Sequence, residues 1–369
     1  MRAMATPSDR RPPGLLAALL VLFFCSGAAA LVYEVLWLKD LGRLFGATAH
    51  AAAVNLAVFF LGLSAGGWVW GRRSGDLKSP LATYAWLEIG IAAAAALYFV
   101  LFRVYGWIYA PLSGLVGDGA FVTLVIKAAL SLVILFPPAF LMGGTLPVMA
   151  QFLVRRSGQL GRWVSALYAL NTIGAASGAF MAGFILPRAL GFLLSYLVAM
   201  AANVVIGLLA LVLAARLRSI DDPSATPPTS PAARPPARTP LAATPPLSAA
   251  MIWSTAALSG FVTLGLEVLW TRMFAQVLQN SVYTFAAILT VFLLALALGS
   301  VLAHLLCRTE LAPERVLQGL LLAAGLAVGL SPLLFHRLTS GLQVVGADLG
   351  WAAYVQEVFL VVGAVLVVP

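Results

Sequence analysis

Runs of about twenty residues without a single charge recur along this chain, and no other feature limits its folding options so severely. "GLLAALLVLFFCSGAAALVY", Gly14 to Tyr33, is one, and "SVYTFAAILTVFLLALALGSVLA", Ser281 to Ala303, is another. At about 1.5 Å per residue such a run spans the roughly 30 Å of a bilayer's hydrocarbon core. Inside hydrocarbon every backbone N–H and C=O has to be bonded within the protein, which leaves the helix as the form for an isolated apolar run. Composition agrees: 62% of the chain is hydrophobic and 9% charged, against about 45–50% apolar in soluble domains. The fold class is an all-α integral membrane protein in contact with a lipid bilayer.

The N-terminus has the basic start, apolar run and small residues of a secretory signal. Its apolar run continues past Ser26-Gly27-Ala28 to Trp37, too long for a signal, so it reads as a retained first span. Spans are expected at 14–38, 49–71, 81–103, 120–154, 163–187, 191–215, 251–271, 283–306, 315–336 and 351–369, about ten in all. The fourth should be long and kinked by Pro137-Pro138, Gly143-Gly144 and Pro147, and 104–118 should form an interfacial loop. Fifteen of the 22 Lys and Arg residues then fall on one side, six on the other, with Lys127 inside a span. That bias puts the N-terminus in the cytoplasm. It also accounts for the net charge of +9 without nucleic acid as a partner.

The organisation follows: a cytoplasmic tail (1–13), a six-helix membrane repeat (14–216), a cytoplasmic linker (217–249) and a second membrane repeat (250–369). The linker's "SIDDPSATPPTSPAARPPARTPLAATPPLS" is too rich in Pro, Ala, Ser and Thr to build a core. The repeat itself emerges when the chain is shifted by 233 positions. Ser26-Gly27 meets Ser259-Gly260, Glu34-Val35-Leu36-Trp37 meets Glu267-Val268-Leu269-Trp270, Lys39 meets Arg272, Thr48 meets Ser281, Phe59 meets Phe292 and Gly66 meets Gly299. Six spans lie between the copies, so the repeats run parallel, as in major-facilitator-type transporters. The loop "GGWVWGRRSGD" is a degenerate form of that superfamily's loop motif. By this alignment the second repeat stops about two and a half spans short of the first, and the expectation is a fragment of a longer protein.

Four motifs in order, "FCSGAAALVYEVLWLKDLGRLFG", "AVFFLGLSAGGWVWGR", "PPAFLMGGTLPVMAQ" and "ALYALNTIGAASGAFMAGFILPRALG", resemble the membrane domain of the fused major-facilitator/spermidine-synthase-like proteins. The resemblance covers 14–215 and 251–369. It implies an inner-membrane protein of a bacterium, N-terminus inside, that anchors a soluble aminopropyltransferase domain in cis or trans, or passes polyamine-related solutes to it. Such a domain moves an aminopropyl group from decarboxylated S-adenosylmethionine to putrescine, using a G-G-G-D-G-type loop and a catalytic Asp. Neither occurs in this chain: Gly143-Gly144-Thr145 is inside a span, and Gly117-Asp118-Gly119 follows no strand. No aminopropyl transfer is therefore expected of this chain by itself, and no cofactor. Cys25 and Cys307, and His50, His304 and His336, have no metal-ligand spacing. The alternative is a stand-alone transporter-like protein for a small, cationic solute.

The in-membrane polar residues are the candidate site: Glu34, Glu267, Lys127, Glu357, Glu88 and Asn171. A carboxylate at depth costs on the order of 2.5–3.5 kcal/mol on insertion scales, so it faces a cavity or a partner. Glu34 and Glu267 are expected toward the outer ends of spans one and seven. They are either structural carboxylates bonded to a neighbouring helix or a pseudo-symmetric pair lining a cavity, where they would bind a cationic solute or carry protons. Lys127 and Glu357 could pair across the pseudo-symmetric interface, and Glu88 falls near Trp86 and the cytoplasmic headgroups. Asn171 lies in the small-residue stretch "NTIGAASGAF", which permits close helix packing. Trp37, Trp270, Trp107 and Trp351 are expected in the interfacial aromatic belt.

Overall fold

The computed structural model describes residues 13–45, 49–116, 120–157, 160–220, 249–278, 282–306, 313–346, 349–367 and 369. The N-terminal tail, nearly all of the linker, Gly117-Asp118-Gly119, Thr48, Ser281 and Cys307 lie outside them, as do the side chains of His50 and His304.

Ten α-helices follow in order: α1 (Pro13–Phe45), α2 (Ala49–Arg73), α3 (Pro80–Val116), α4 (Ala120–Ser157), α5 (Leu160–Phe180), α6 (Leu186–Ile220), α7 (Ala249–Phe274), α8 (Val282–Leu306), α9 (Pro313–Leu338) and α10 (Trp351–Leu366). No strand occurs among the described residues. Seven helical stretches are long and apolar enough to cross a membrane, one of them running through α5 and α6 as Val164–Leu217. Leu193, Leu208, Leu322 and Phe261 are among the many apolar side chains on the outside. On a soluble protein such a surface would be a liability; here it is a lipid-facing surface. The chain is a multi-pass helical membrane protein.

Two boundaries differ from expectation. Residues 104–116 are not an interfacial loop but the last turns of α3, whose 37 residues extend about 55 Å. Gly106, Pro111 and Gly114 suggested a break, yet a Pro inside a helix is tolerated when the rest of the backbone stays bonded. Between α5 and α6 the chain passes through one π-helical turn, Met181–Ile185, instead of a loop. Helical geometry then breaks at Gly191 (φ 79°, ψ 171°), a conformation that only glycine adopts readily.

Packing is carried by glycine. α2 lies chiefly on α4, α1 on α5, α3 on α4 and α6, and α5 on α8. A Cβ on Gly66 of α2 would overlap the Phe140 carbonyl of α4, and one on Gly143 of α4 would overlap the Leu63 carbonyl of α2. Across α1 and α5, Gly174 and Gly178 face the carbonyls of Phe24 and Ala28 in the same way. Lipid tails are as apolar as leucine, so helices in a bilayer associate through such close van der Waals contact. Both "NTIGAASGAF" and the "PPAFLMGGTLP" segment, whose three prolines sit inside an unbroken α4, thus serve packing. Glycines of the second part differ: Gly260, Gly265, Gly299, Gly319 and Gly329 have open space around them. The two parts join mainly where α5 packs on α8, and Gly183 of the π turn continues that join against Ala286. Phe184 extends that join, packing against Tyr283 and Phe359.

At the turn between α2 and α3, Arg155 near the end of α4 donates to the carbonyl of Leu77 at 2.6 Å and to that of Gly75. An arginine counted for topology therefore also ties down a loop.

Candidate functional site

Three carboxylates sit inside the bundle, and their surroundings differ. Glu88 of α3 is fully buried. It accepts a hydrogen bond at 2.5 Å from the Ser26 hydroxyl of α1, and another at 2.5 Å from the Asn203 amide of α6. The expectation of a headgroup position is corrected: Trp86 points outward while Glu88, two residues on, points into a three-helix junction. With a donor on each oxygen it has the partners a buried carboxylate needs.

Glu34 and Glu267 are different. They are 6% and 2% exposed, and on each the Oε1 atom is enclosed with no hydrogen-bond partner in the chain. Glu34 also lies within Coulombic reach of Glu267, the acid of the other E-V-L-W segment. The outer-end placement is refined accordingly: they stand roughly three and two turns before the C-terminal ends of their helices, enclosed by packing.

Around Glu34 the structure forms a narrow cleft of about 230 Å³, mouth included, lined by Trp37 and Leu38 of α1, Asn55, Leu56 and Phe59 of α2, and Leu135 of α4. Asn55 accepts a hydrogen bond from the Ser131 hydroxyl of α4 at 2.8 Å. Its Nδ2, and the indole Nε1 of Trp37, have no partner in the chain. Sequence reading did not single out Asn55. The available signal was an amide in the middle of "AAAVNLAVFF", where a polar group has to be satisfied or functional.

Trp37 is 1% exposed and Trp270 5%, so neither belongs to an interfacial belt. Trp37 stacks on Tyr33 at 5.2 Å and leans on Tyr98 at 5.9 Å, while Tyr98 stacks on Tyr196 at 5.5 Å. This aromatic block closes the bundle interior beside Glu34, because ring pairs fill space in a few preferred geometries. Trp270 stands edge-on to Phe292 at 6.5 Å, and its indole is 3.4 Å from the Ser331 hydroxyl. Trp107 is exposed, and Trp351 is half-buried beneath the Arg188 guanidinium at 4.4 Å.

The remaining candidates stand apart. Lys127, on α4, and Glu357, on α10, are half-buried on different helices, and α10 packs chiefly on α8 and α9. Asn171 is packing material: its backbone carbonyl and Oδ1 lie where a Cβ on Gly27 would go. Among the described residues no three His, Cys, Asp or Glu side chains converge as a metal site would require.

What the fold and site define is a class, a multi-pass helical membrane protein with partnerless buried carboxylates inside its bundle. No family model, curated protein or solved structure matches the chain.

Proposed function

We propose that the chain is the membrane domain of a spermidine-synthase-like fusion protein, which passes polyamine-related solutes to an aminopropyltransferase domain, in cis or trans, and anchors it. The observation that carries the reading is that Glu34 and Glu267 each have a buried Oε1 without a partner in the chain, with Glu267 in Coulombic reach of Glu34. A carboxylate whose only role was to hold helices together would resemble Glu88, with a donor on each oxygen. Two buried acids in Coulombic reach suit a positively charged amine, met directly or through water, because desolvated acids are costly until a cation reaches them. In this reading the chain has ten spans in two parallel, major-facilitator-like repeats, the second shorter, with its N-terminus in the cytoplasm of a bacterium. Repeat-related contacts support it: Phe59 lies in the Trp37 cleft, and its counterpart Phe292 lies against Trp270.

The test is uptake of labelled putrescine and spermidine into proteoliposomes. Glu34→Gln and Glu267→Gln should each lower uptake by an order of magnitude while the yield of monodisperse protein is unchanged. If the wild-type protein moves no polyamine and the double variant fails to fold, the two acids are structural. A stand-alone transporter would show the same flux without any aminopropyltransferase partner. Co-purification from native membranes separates the two.

A further inference from the structure

The cleft beside Glu34 brings together a defined set of hydrogen-bonding groups from two helices, α1 and α2. One is an acceptor, Glu34 Oε1, and two are donor groups, Trp37 Nε1–H and the Asn55 Nδ2 amide, all three enclosed and without partners in the chain. The residues that carry them are 6%, 1% and 3% exposed, and all three line the same cleft. The other lining groups, Leu38, Leu56, Phe59 and Leu135, are apolar. The space within is narrow, with room for about one water-sized body.

An ammonium group would leave both N–H donors facing more donors. A carboxylate or phosphate would bring a charge against Glu34. A water molecule satisfies all three: it accepts from Trp37 and Asn55 and donates to Glu34. Three polar partners is also the usual number for a buried water. We propose that this cleft is a hydration site in which a single water bridges α1 and α2 and serves as Glu34's hydrogen-bond partner.

The assignment separates the three buried acids. Glu88 is bonded on both oxygens by side chains, so a change in its proton count would disturb α1, α3 and α6 together. Water can donate to a carboxylate or accept from a carboxylic acid, so Glu34 can change its protonation without moving a helix. Glu267, on α7, is the charged group that reaches Glu34 across the interface. The described parts of α2 and α4 offer the cleft only Asn55 and its partner Ser131 as polar groups. The site holds whichever solute the protein handles.

Radiolytic footprinting tests this, because X-ray pulses convert bound water to hydroxyl radicals that mark the side chains around it. The full chain in nanodiscs should show Trp37 labelled severalfold faster than Trp270, although Trp37 is the less exposed of the two. Trp270 is the internal control, its indole lying against Ser331. Labelling of Trp37 no faster than Trp270 would overturn the proposal. Asn55→Leu with Ser131→Ala removes both members of the amide–hydroxyl pair and should bring Trp37 down to the Trp270 rate; undiminished labelling in a folded variant also overturns it. Should that variant not fold, Glu34→Gln retains an acceptor of the same shape and should keep the fast labelling. Its loss there would count against the bridging geometry.

Discussion

The Ser26 hydroxyl of α1 lies 2.5 Å from Glu88 Oε1 of α3, inside a bundle where neither group reaches lipid or water. Hydrogen bonds between transmembrane helices average about 0.6 kcal/mol and reach about 1.7 kcal/mol. Because this one ends on a carboxyl, Ser26→Ala should cost about 1 kcal/mol in a bicelle unfolding assay. In a double-mutant cycle with Glu88→Gln the two losses should be non-additive. Additive losses would mean that Ser26 stabilises the bundle by some contact other than Glu88.

Gly66 and Gly299, which align when the sequence is shifted by 233 positions, should respond differently to alanine. A methyl on Gly66 collides with the Phe140 backbone, and backbone cannot rotate aside. Overpacking of that kind costs about 1–3 kcal/mol, so Gly66→Ala should lower the melting temperature and the monodisperse yield. Gly299 has nothing within reach. Gly299→Ala should be neutral or stabilising by up to about 1 kcal/mol through the helix preference of alanine. Equal effects at the two positions would contradict the packing described.

The join between the two parts can be opened and reclosed. Gly183→Leu should drive the π turn away from Ala286 of α8 and lower thermal stability. Ala286→Gly in the same chain should restore part of the loss, since it removes the methyl that the leucine strikes. Absence of any rescue would show that the leucine acts elsewhere.

Arg155→Ala should leave overall stability within about 0.5 kcal/mol of wild type, as for an exposed surface substitution. It should nevertheless speed proteolytic nicking between Ser74 and Ser79, where the guanidinium now holds the carbonyls of Gly75 and Leu77. Unchanged nicking would remove Arg155 from any role in the turn.

Much of the architecture was legible because the bilayer restricts backbone to helix, so apolar runs alone mark most of the elements. Glu34 and Glu267 were legible as a pair because E-V-L-W recurs. That they come within Coulombic reach depends on how the helices are arranged across the bundle, which no linear spacing records. Asn55 was hidden for a related reason: its repeat counterpart is Ile288, so the repeat gives no pointer to it. Glu88, opposite Leu321 in the repeat, was misplaced because Trp86 two residues earlier suggested an interface, whereas on a helix a two-residue step turns the side chain to nearly the opposite face. The extension of α3 past Gly106 and Pro111 was illegible from turn propensities, which describe chains in water.

The partner pattern also bears on how the molecule is made. α1 has its glycine-matched partner in α5, α2 in α4, and α3 in both α4 and α6. Neither α1 nor α2 finds its main neighbour in the helix that follows it out of the ribosome. Each must therefore enter the bilayer and wait there with its glycine face bare, Gly66 until Phe140 has been synthesised and Gly27 until Asn171 has. α3 can close on α4 as soon as α4 is made, and α2 docks on α4 at the same stage, whereas α1 has to wait for α5.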